Sequence, residues 1–176
     1  MTNTSVPSIT PKRCAVVGAG TIGHLATKVL TLRGHEVTVF DRDADRLALL
    51  NEAVRTETFL NALERFDWLI EATGSQAALT TLLQQSATGA TLLLLGLPYA
   101  QHNFSFESIV GFDKTVVGSV GSSGADFDKA LATLPRLDTS PFLQCSYPLE
   151  EFAHAWNAAR SKTHIKVMLR IDANAV

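Results

Sequence analysis

The segment CAVVGAGTIGHL, residues 14–25, most strongly constrains the fold, because it joins an apolar strand, a glycine turn and a helix start. Its three glycines have the spacing G-x-G-x-x-G and are Gly18, Gly20 and Gly23. At a strand-to-helix junction the first glycine permits a tight turn, the second lets the backbone approach a pyrophosphate, and the third lets the helix pack closely. Helical N–H groups near Thr21 and Ile22 would then face the anion. The segment predicts a site for a dinucleotide phosphate.

Short apolar runs alternate with helix-period segments along the rest of the chain, which predicts βα units and a parallel sheet covered on both faces. In the first helix, predicted from Ile22 to Arg33, apolar residues form one stripe, and Gly34 follows as a left-handed cap. The other predicted strands are 36–41, 66–73, 90–96, 114–120 and a closing strand at 165–171. The other predicted helices are 44–51, 76–85, 125–134 and 149–160.

The segment from Asn51 to Phe66 has the weakest pattern in the chain. Within it, the letters AVR at 53–55 indicate a third strand, and the run from Phe59 to Phe66 is predicted to be helical.

Composition limits the number of domains and the kinds of partner. A chain of 176 residues, 46% of them hydrophobic, has material for one core, so we expect a tail or linker stub at 1–12 and one domain at 13–176. The net charge of −2 argues against binding to nucleic acid. The most apolar run, TLLLLGL, is too short to span a bilayer. We expect a soluble, cytoplasmic protein. Cys14 and Cys145 lie far apart in predicted strands, as small buried hydrophobes do.

Asp41 lies eighteen residues after Gly23, at the end of the predicted second strand. A carboxylate there can accept both hydroxyls of an adenosine ribose and would repel a 2′-phosphate, which favours NAD over NADP. Arg42 leaves NADP open, because a guanidinium beside the ribose can compensate a phosphate. An ordinary tight turn, or a loop that holds S-adenosylmethionine, remains an alternative for the glycines.

A more specific pattern than the glycine turn is formed by five segments that follow one another along the chain. They are CAVVGAGTIGHLATKVLTLRGHEVTVFDRDADRLALL, FDWLIEATG, GATLLLLGLP, KTVVGSVGSS and PLEEFAHAWNAARSKTHIKVMLRI. Together they resemble the cofactor domain of the zinc-dependent medium-chain alcohol, polyol and glucose dehydrogenases, from Arg13 to Asp172. The resemblance implies a Rossmann-type, doubly wound α/β fold. Its parallel sheet would have about six strands in the order 3-2-1-4-5-6, with helices on both faces.

The resemblance also implies a role for each part of a cofactor site. The Gly18–Gly23 loop would take the pyrophosphate and Asp41 the adenosine ribose, with Arg42 and Arg46 beside it. The predicted backbone contacts are Ala72, Thr73 and Gly74 at the adenosine, Leu95, Gly96 and Leu97 at the nicotinamide ribose, and Ser119, Val120 and Gly121 near the carboxamide. Lys166 matches a basic residue that reaches the pyrophosphate, although a solvated lysine on an edge strand remains an alternative.

Those dehydrogenases carry the catalytic zinc ligands and the substrate pocket in an N-terminal domain that is not matched here. The resemblance therefore implies the NAD-binding part of an enzyme that oxidises an alcohol, polyol or sugar by hydride transfer, with no catalytic residue or metal ligand of its own. This chain alone is expected to bind without turnover. Its expected partners are NAD(H), a separate catalytic domain and a second copy of the chain. The alternative is a stand-alone dinucleotide-binding module, such as a redox sensor.

The histidines do not have metal-ligand spacing in the sequence. The triplet Gly34, His35 and Glu36 is similar to a zinc-ligand motif, but Gly34 already has a role as a helix cap. We expect solvated or helix-face positions for the other four histidines, which are His24, His102, His154 and His164.

Overall fold

The computed structural model describes residues 10–50, 54–98, 101 and 103–171. Its main sheet has six parallel strands in the order 3-2-1-4-5-6, which confirms the predicted fold. These strands are β1 (Arg13–Val17), β2 (Glu36–Phe40), β3 (Arg55–Glu57), β4 (Trp68–Glu71), β5 (Thr91–Leu94) and β6 (Thr115–Gly118). A separate parallel pair joins β7 (Ser146–Pro148) to β8 (Met168–Arg170).

Helices follow most of the strands, as the alternating pattern predicts. The described α-helices are α1 (Thr21–Leu32), α2 (Ala44–Ala48), α3 (Gln76–Gln85), α4 (Glu107–Val110), α5 (Gly124–Thr133) and α6 (Phe152–Ser161). After α1, Gly34 has φ +80°, so the predicted left-handed cap is confirmed. Helix α6 is preceded by a 3-10 turn over Leu149–Glu151, where the sequence predicted α-helix.

Two apolar clusters cover the two faces of the sheet, because successive side chains of a strand point to opposite sides. On one face, Cys14 and Val16 of β1 belong to a cluster against which Ala26 and Leu30 of α1 pack. On the other face, Ala15 and Val17 of β1 belong to a second cluster, which also contains Leu82 and Leu83 of α3. Cys14 is a small buried hydrophobe, and its burial raises the pKa of the thiol to about 11.

The segment between β2 and β4 departs most from the prediction. Strand β3 begins at Arg55, and residues 51–53 lie outside the described part, so the predicted strand overlaps the observed one at a single residue. The predicted helix from Phe59 to Phe66 is wrong, since a 3-10 turn at Leu63–Arg65 is the helical structure present there. Ala62 has left-handed φ and ψ, which interrupts a helix, and one short turn suffices to bury Leu63 and Phe66.

The chain ends also differ from the predictions. Lys12, the last residue of the predicted tail, contacts the turn before β2: its N–H donates to His35 Nδ1 and its carbonyl accepts the N–H of Glu36. Of the predicted tail, residues 1–9 lie outside the described part, as do residues 172–176 at the other end. The predicted closing strand is shorter than expected and pairs with β7 outside the main sheet. In the described residues, no helix combines the length and apolar character needed to cross a membrane.

Candidate functional site

The topology brings the predicted site residues to one edge of the sheet. The carboxyl ends of parallel strands share an edge, and ligands of such sheets bind where the strand order reverses. In this sheet the reversal lies at β1, between β2 and β4. The predicted positions follow β1 (Gly18–Gly23), β2 (Asp41), β4 (Ala72–Gly74), β5 (Leu95–Leu97) and β6 (Ser119–Gly121).

The glycine turn has the geometry that its spacing predicts. Gly18 has φ +105°, and its N–H donates to the carbonyl of Phe40 at 2.7 Å. A Cβ added at Gly23 would lie 1.7 Å from the carbonyl oxygen of Gly18, so any side chain there would force the helix away from the turn. A Cβ at Gly20 would be 3.7 Å from Arg46 Nη1, an ordinary contact that leaves the backbone accessible.

The amino end of α1 is open to an anion. Gly20 is the N-cap and provides no side chain to the first N–H groups, and the first turn, which includes Thr21 and Ile22, has no acidic residue. The hydroxyl of Thr21 donates to the carbonyl of Ile165 at 2.6 Å, which holds the C-terminal segment beside this helix end. Lys166 is the next residue along the chain, and its side chain is exposed.

Asp41 contacts the glycine turn directly. Its Oδ2 accepts the N–H of Ala19 at 2.7 Å, and its Oδ1 accepts the N–H of Asp43 at 3.0 Å. A carboxylate has about four lone-pair sites, so both oxygens can still accept ligand hydroxyls. The residue predicted to bind a ribose is thus fixed in position by the turn predicted to bind the pyrophosphate.

A cleft of about 610 Å³ opens beside Asp41. Its charged lining residues are Asp41, Arg42, Asp43, Asp45, Arg46 and Lys162. Arg46 extends from α2 toward the C-terminal segment, where its Nε donates to the carbonyl of Lys162 at 3.4 Å. Arg42 and Arg46 thus line the same cleft as Asp41, and Lys162 is an addition that the sequence did not single out.

Glu71 is a second residue that the sequence reasoning missed. It is 3% exposed at the end of β4, and its Oε1 accepts the N–H groups of Thr73 and Gly74 and the Thr73 hydroxyl. The turn that it holds contacts the glycine loop, since a Cβ at Gly18 would lie 2.8 Å from Thr73 Cγ2. A charged residue at the end of an apolar strand, as in LIEATG, was the signal that could have identified it.

The ends of β5 and β6 differ in how tightly they pack. A Cβ at Gly96 would lie 2.1 Å from the N of Gly74 and 2.4 Å from Glu71 Oε2, so the backbones after β4 and β5 touch. Leu95 and Leu97 flank this contact. The predicted carboxamide residues after β6 are exposed, Val120 at 88%, and a Cβ at Gly121 would meet nothing within 4 Å. The chain is therefore closely packed after β4 and β5 and open after β6.

Within the described ranges, no group of three or more His, Cys, Asp or Glu residues is arranged to hold a metal ion. His24 is fully buried on α1, where its Nδ1 lies 3.1 Å from the carbonyl of Gly20, so the expectation of a solvated position does not apply to it. His102 lies outside the described residues. Both cysteines are buried, and Cys145 precedes β7 instead of lying within a strand.

The sheet order and the glycine turn at its switch point define a Rossmann-type α/β domain. The chain belongs to the family described as glucose dehydrogenase C-terminus, whose model matches residues 2–171. This match confirms the resemblance to the cofactor domain of zinc-type dehydrogenases.

Curated relatives and solved structures agree with this assignment. The chain is 34% identical to a glucose 1-dehydrogenase of Thermoproteus tenax, in a match that covers 92% of this chain and 51% of the relative. It is 30% identical to an L-threonine 3-dehydrogenase of Cutibacterium acnes, over 88% of this chain and 49% of that protein. An alcohol dehydrogenase of Thermus sp. ATN1 superposes with a TM-score of 0.80 at 26% identity, covering 92% of this chain and 52% of that one. The chain thus spans about half the length of the relatives it matches.

Proposed function

We propose that this chain binds NAD(H) as the cofactor domain of a medium-chain, zinc-type dehydrogenase that oxidises an alcohol, polyol or sugar. The observation that carries the proposal is the glycine turn at the switch point of the sheet. There, Gly23 leaves no space for a side chain, and the open end of α1 faces the crevice. Backbone N–H groups at such a helix end are a ready site for a pyrophosphate.

The remaining assignments follow the crevice outward from this turn. Asp41 would accept the adenosine ribose hydroxyls, and Lys166 would add a positive charge beside the pyrophosphate. The turn at Ala72–Gly74 would line the adenosine side, and the backbone at Leu95–Leu97 the nicotinamide ribose. The open strand end at Ser119–Gly121 would lie near the carboxamide.

In the proposed reaction the residues of this chain bind and orient, and a separate catalytic domain supplies the substrate pocket and the zinc that polarises the alcohol oxygen. The chemistry that bound NAD would supply is acceptance of the hydride from the alcohol carbon, while the hydroxyl proton would leave through the catalytic domain. Glu71 and the packed strand ends would hold the crevice rigid, so that a bound dinucleotide keeps one orientation. The chain alone would then bind the cofactor without turnover, which assays with NAD and a panel of alcohols, polyols and sugars would test.

Replacing Asp41 by alanine should weaken NADH binding about tenfold, because the ribose loses its hydrogen-bond acceptor. NADPH binding should weaken less, because a negative charge near the 2′-phosphate is removed as well. The measurement is titration of NADH and NADPH fluorescence with the unmutated chain and Asp41→Ala. The unmutated chain should bind NADH more tightly than NADPH.

Two variants control this experiment. Asp41→Asn keeps an acceptor for the N–H of Ala19 and removes the charge, which separates electrostatics from turn geometry. Asp128→Ala removes an exposed carboxylate of α5 and should change neither affinity. Absence of NADH binding by the unmutated chain would contradict the proposed function, and equal affinity for the two cofactors would contradict only the role of Asp41.

We also propose that two copies associate through β6, the end strand of the described main sheet. An unpaired strand edge can pair with its counterpart across a two-fold axis, and Val117 on this strand is 44% exposed. Val117→Lys should therefore shift a dimer toward monomer in sedimentation velocity runs. A monomeric unmutated chain at the same concentration would contradict this assembly.

A further inference from the structure

Lys162 occupies an unusual position at the end of α6. The helix ends at Ser161, and Lys162 follows with φ +61° and ψ +15°, a left-handed conformation in which glycine is usually found after a helix. The lysine side chain contributes nothing that would favour this backbone conformation. Lys162 is one of three described non-glycine residues with positive φ, and its place beside a cleft makes it a candidate for a functional role.

Lys162 lines the cleft beside Asp41, which is the adenosine end of the proposed cofactor site. Its carbonyl accepts the Arg46 Nε–H, and Arg46 also approaches Gly20 of the glycine turn. Lys162 and Arg46 thus come from distant parts of the chain and line one cleft, together with Arg42 and Asp41. The C-terminal segment then continues to Ile165, whose carbonyl accepts a hydrogen bond from the hydroxyl of Thr21 at the start of α1.

The charged groups in this cleft differ in how many backbone hydrogen bonds they accept. The carboxylate of Asp41 accepts two backbone N–H groups, and the Oδ1 of Asp43 accepts those of Asp45 and Arg46. Asp45 is exposed on α2, the helix that begins beside the cleft. Backbone N–H groups thus partly neutralise two of the three carboxylates, while the exposed ammonium group of Lys162 can turn toward a ligand.

We propose that Lys162 is a specificity-determining residue that contacts the 2′-phosphate of NADP(H), so that this site takes NADP(H) as a second, weaker ligand. The inference rests on the proposed function, because it places the adenosine ribose at Asp41. A phosphate on that ribose lies in the same cleft, where Lys162 and the two arginines offset the repulsion by Asp41. Asp41 favours NADH over NADPH, and Lys162 therefore reduces the ratio of the two affinities.

The test uses Lys162→Gly, which removes the cation and suits the left-handed backbone, so that loss of binding does not arise from misfolding. This variant should bind NADPH roughly fivefold more weakly than the unmutated chain and NADH within about twofold of it. The defect should shrink as salt is added, because the contact is exposed to solvent. Competition experiments with 2′,5′-ADP and with 5′-ADP test the adenosine part of the ligand alone. Lys162→Gly should bind 2′,5′-ADP more weakly than the unmutated chain does and 5′-ADP equally well.

Two further variants make the result specific. Lys162→Arg keeps the cation and should retain NADPH affinity, whereas Lys129→Ala removes a lysine that is 78% exposed on α5 and should alter neither ligand. An unchanged ratio of NADPH to NADH affinity in Lys162→Gly would overturn the inference. So would NADH binding without measurable NADPH binding by the unmutated chain, and this result would leave the proposed function standing. Binding of neither cofactor would overturn both.

Discussion

Gly23→Ala should abolish NADH binding and lower the free energy of unfolding by about 3 kcal/mol. The added Cβ would lie 1.7 Å from the Gly18 carbonyl oxygen and 2.9 Å from its carbonyl carbon, and both are backbone atoms that no side-chain rotation can move. The start of α1 would have to shift away from the turn after β1. Urea denaturation and NADH titration on the same preparation measure the two effects.

Gly20→Ala is the matched control, because the same atom is added three residues earlier. Its Cβ would make an ordinary 3.7 Å contact with Arg46 Nη1, and Gly20 has a φ of −85° that alanine adopts. We therefore expect a stability close to that of the unmutated chain and weaker NADH binding, since Gly20 is the proposed point of closest approach to the pyrophosphate. Equal stability of the Gly23 variant and the unmutated chain would show that the close packing of helix and turn is not required.

Glu71→Ala should destabilise the chain by about 2–4 kcal/mol and weaken NADH binding at least about tenfold. The carboxylate is buried and accepts the N–H groups of Thr73 and Gly74, which would lose a charged acceptor. The turn that would then loosen also contacts Gly18 of the glycine loop and the backbone at Gly96. One deletion is therefore expected to disturb three strand ends of the crevice.

Two comparisons separate this positioning role from a general loss of stability. Glu71→Gln keeps one acceptor oxygen and should recover part of the NADH affinity. Glu36→Ala removes an exposed carboxylate from β2 and should change neither stability nor binding. Loss of stability in Glu71→Ala with unchanged NADH affinity, measured where the variant is fully folded, would contradict a role of Glu71 in shaping the crevice.

Elements with strong local signals were predictable from the sequence. Helix α3 has the predicted bounds, α1 differs by one residue at each end, and Gly34 has the left-handed conformation expected of its position. Each of these depends on the chain's own periodicity and on residues a few positions apart. The segment from Asn51 to Phe66 lacked such signals, and there the burial of Leu63 and Phe66 decided the structure instead.

The same distinction applies to the candidate site. Gly18, Gly20, Gly23 and Asp41 could be selected from the sequence, because their spacing relative to β1 and β2 has a direct physical meaning. Glu71 and Lys162 could not be assigned in this way. The importance of Glu71 arises from a turn that touches two other strand ends, and that of Lys162 from its contact with Arg46, more than a hundred residues away in the chain.

The sequence by itself determined the alternation of strands and helices in a parallel sheet and the glycine turn after β1, because strand and helix periodicity and glycine conformation are local properties of the chain. Only the tertiary structure showed which atoms hold the C-terminal segment beside the glycine turn, through the hydrogen bonds from Arg46 to the Lys162 carbonyl and from Thr21 to the Ile165 carbonyl. Contacts between distant segments depend on how the whole sheet packs, and no short stretch of sequence encodes them.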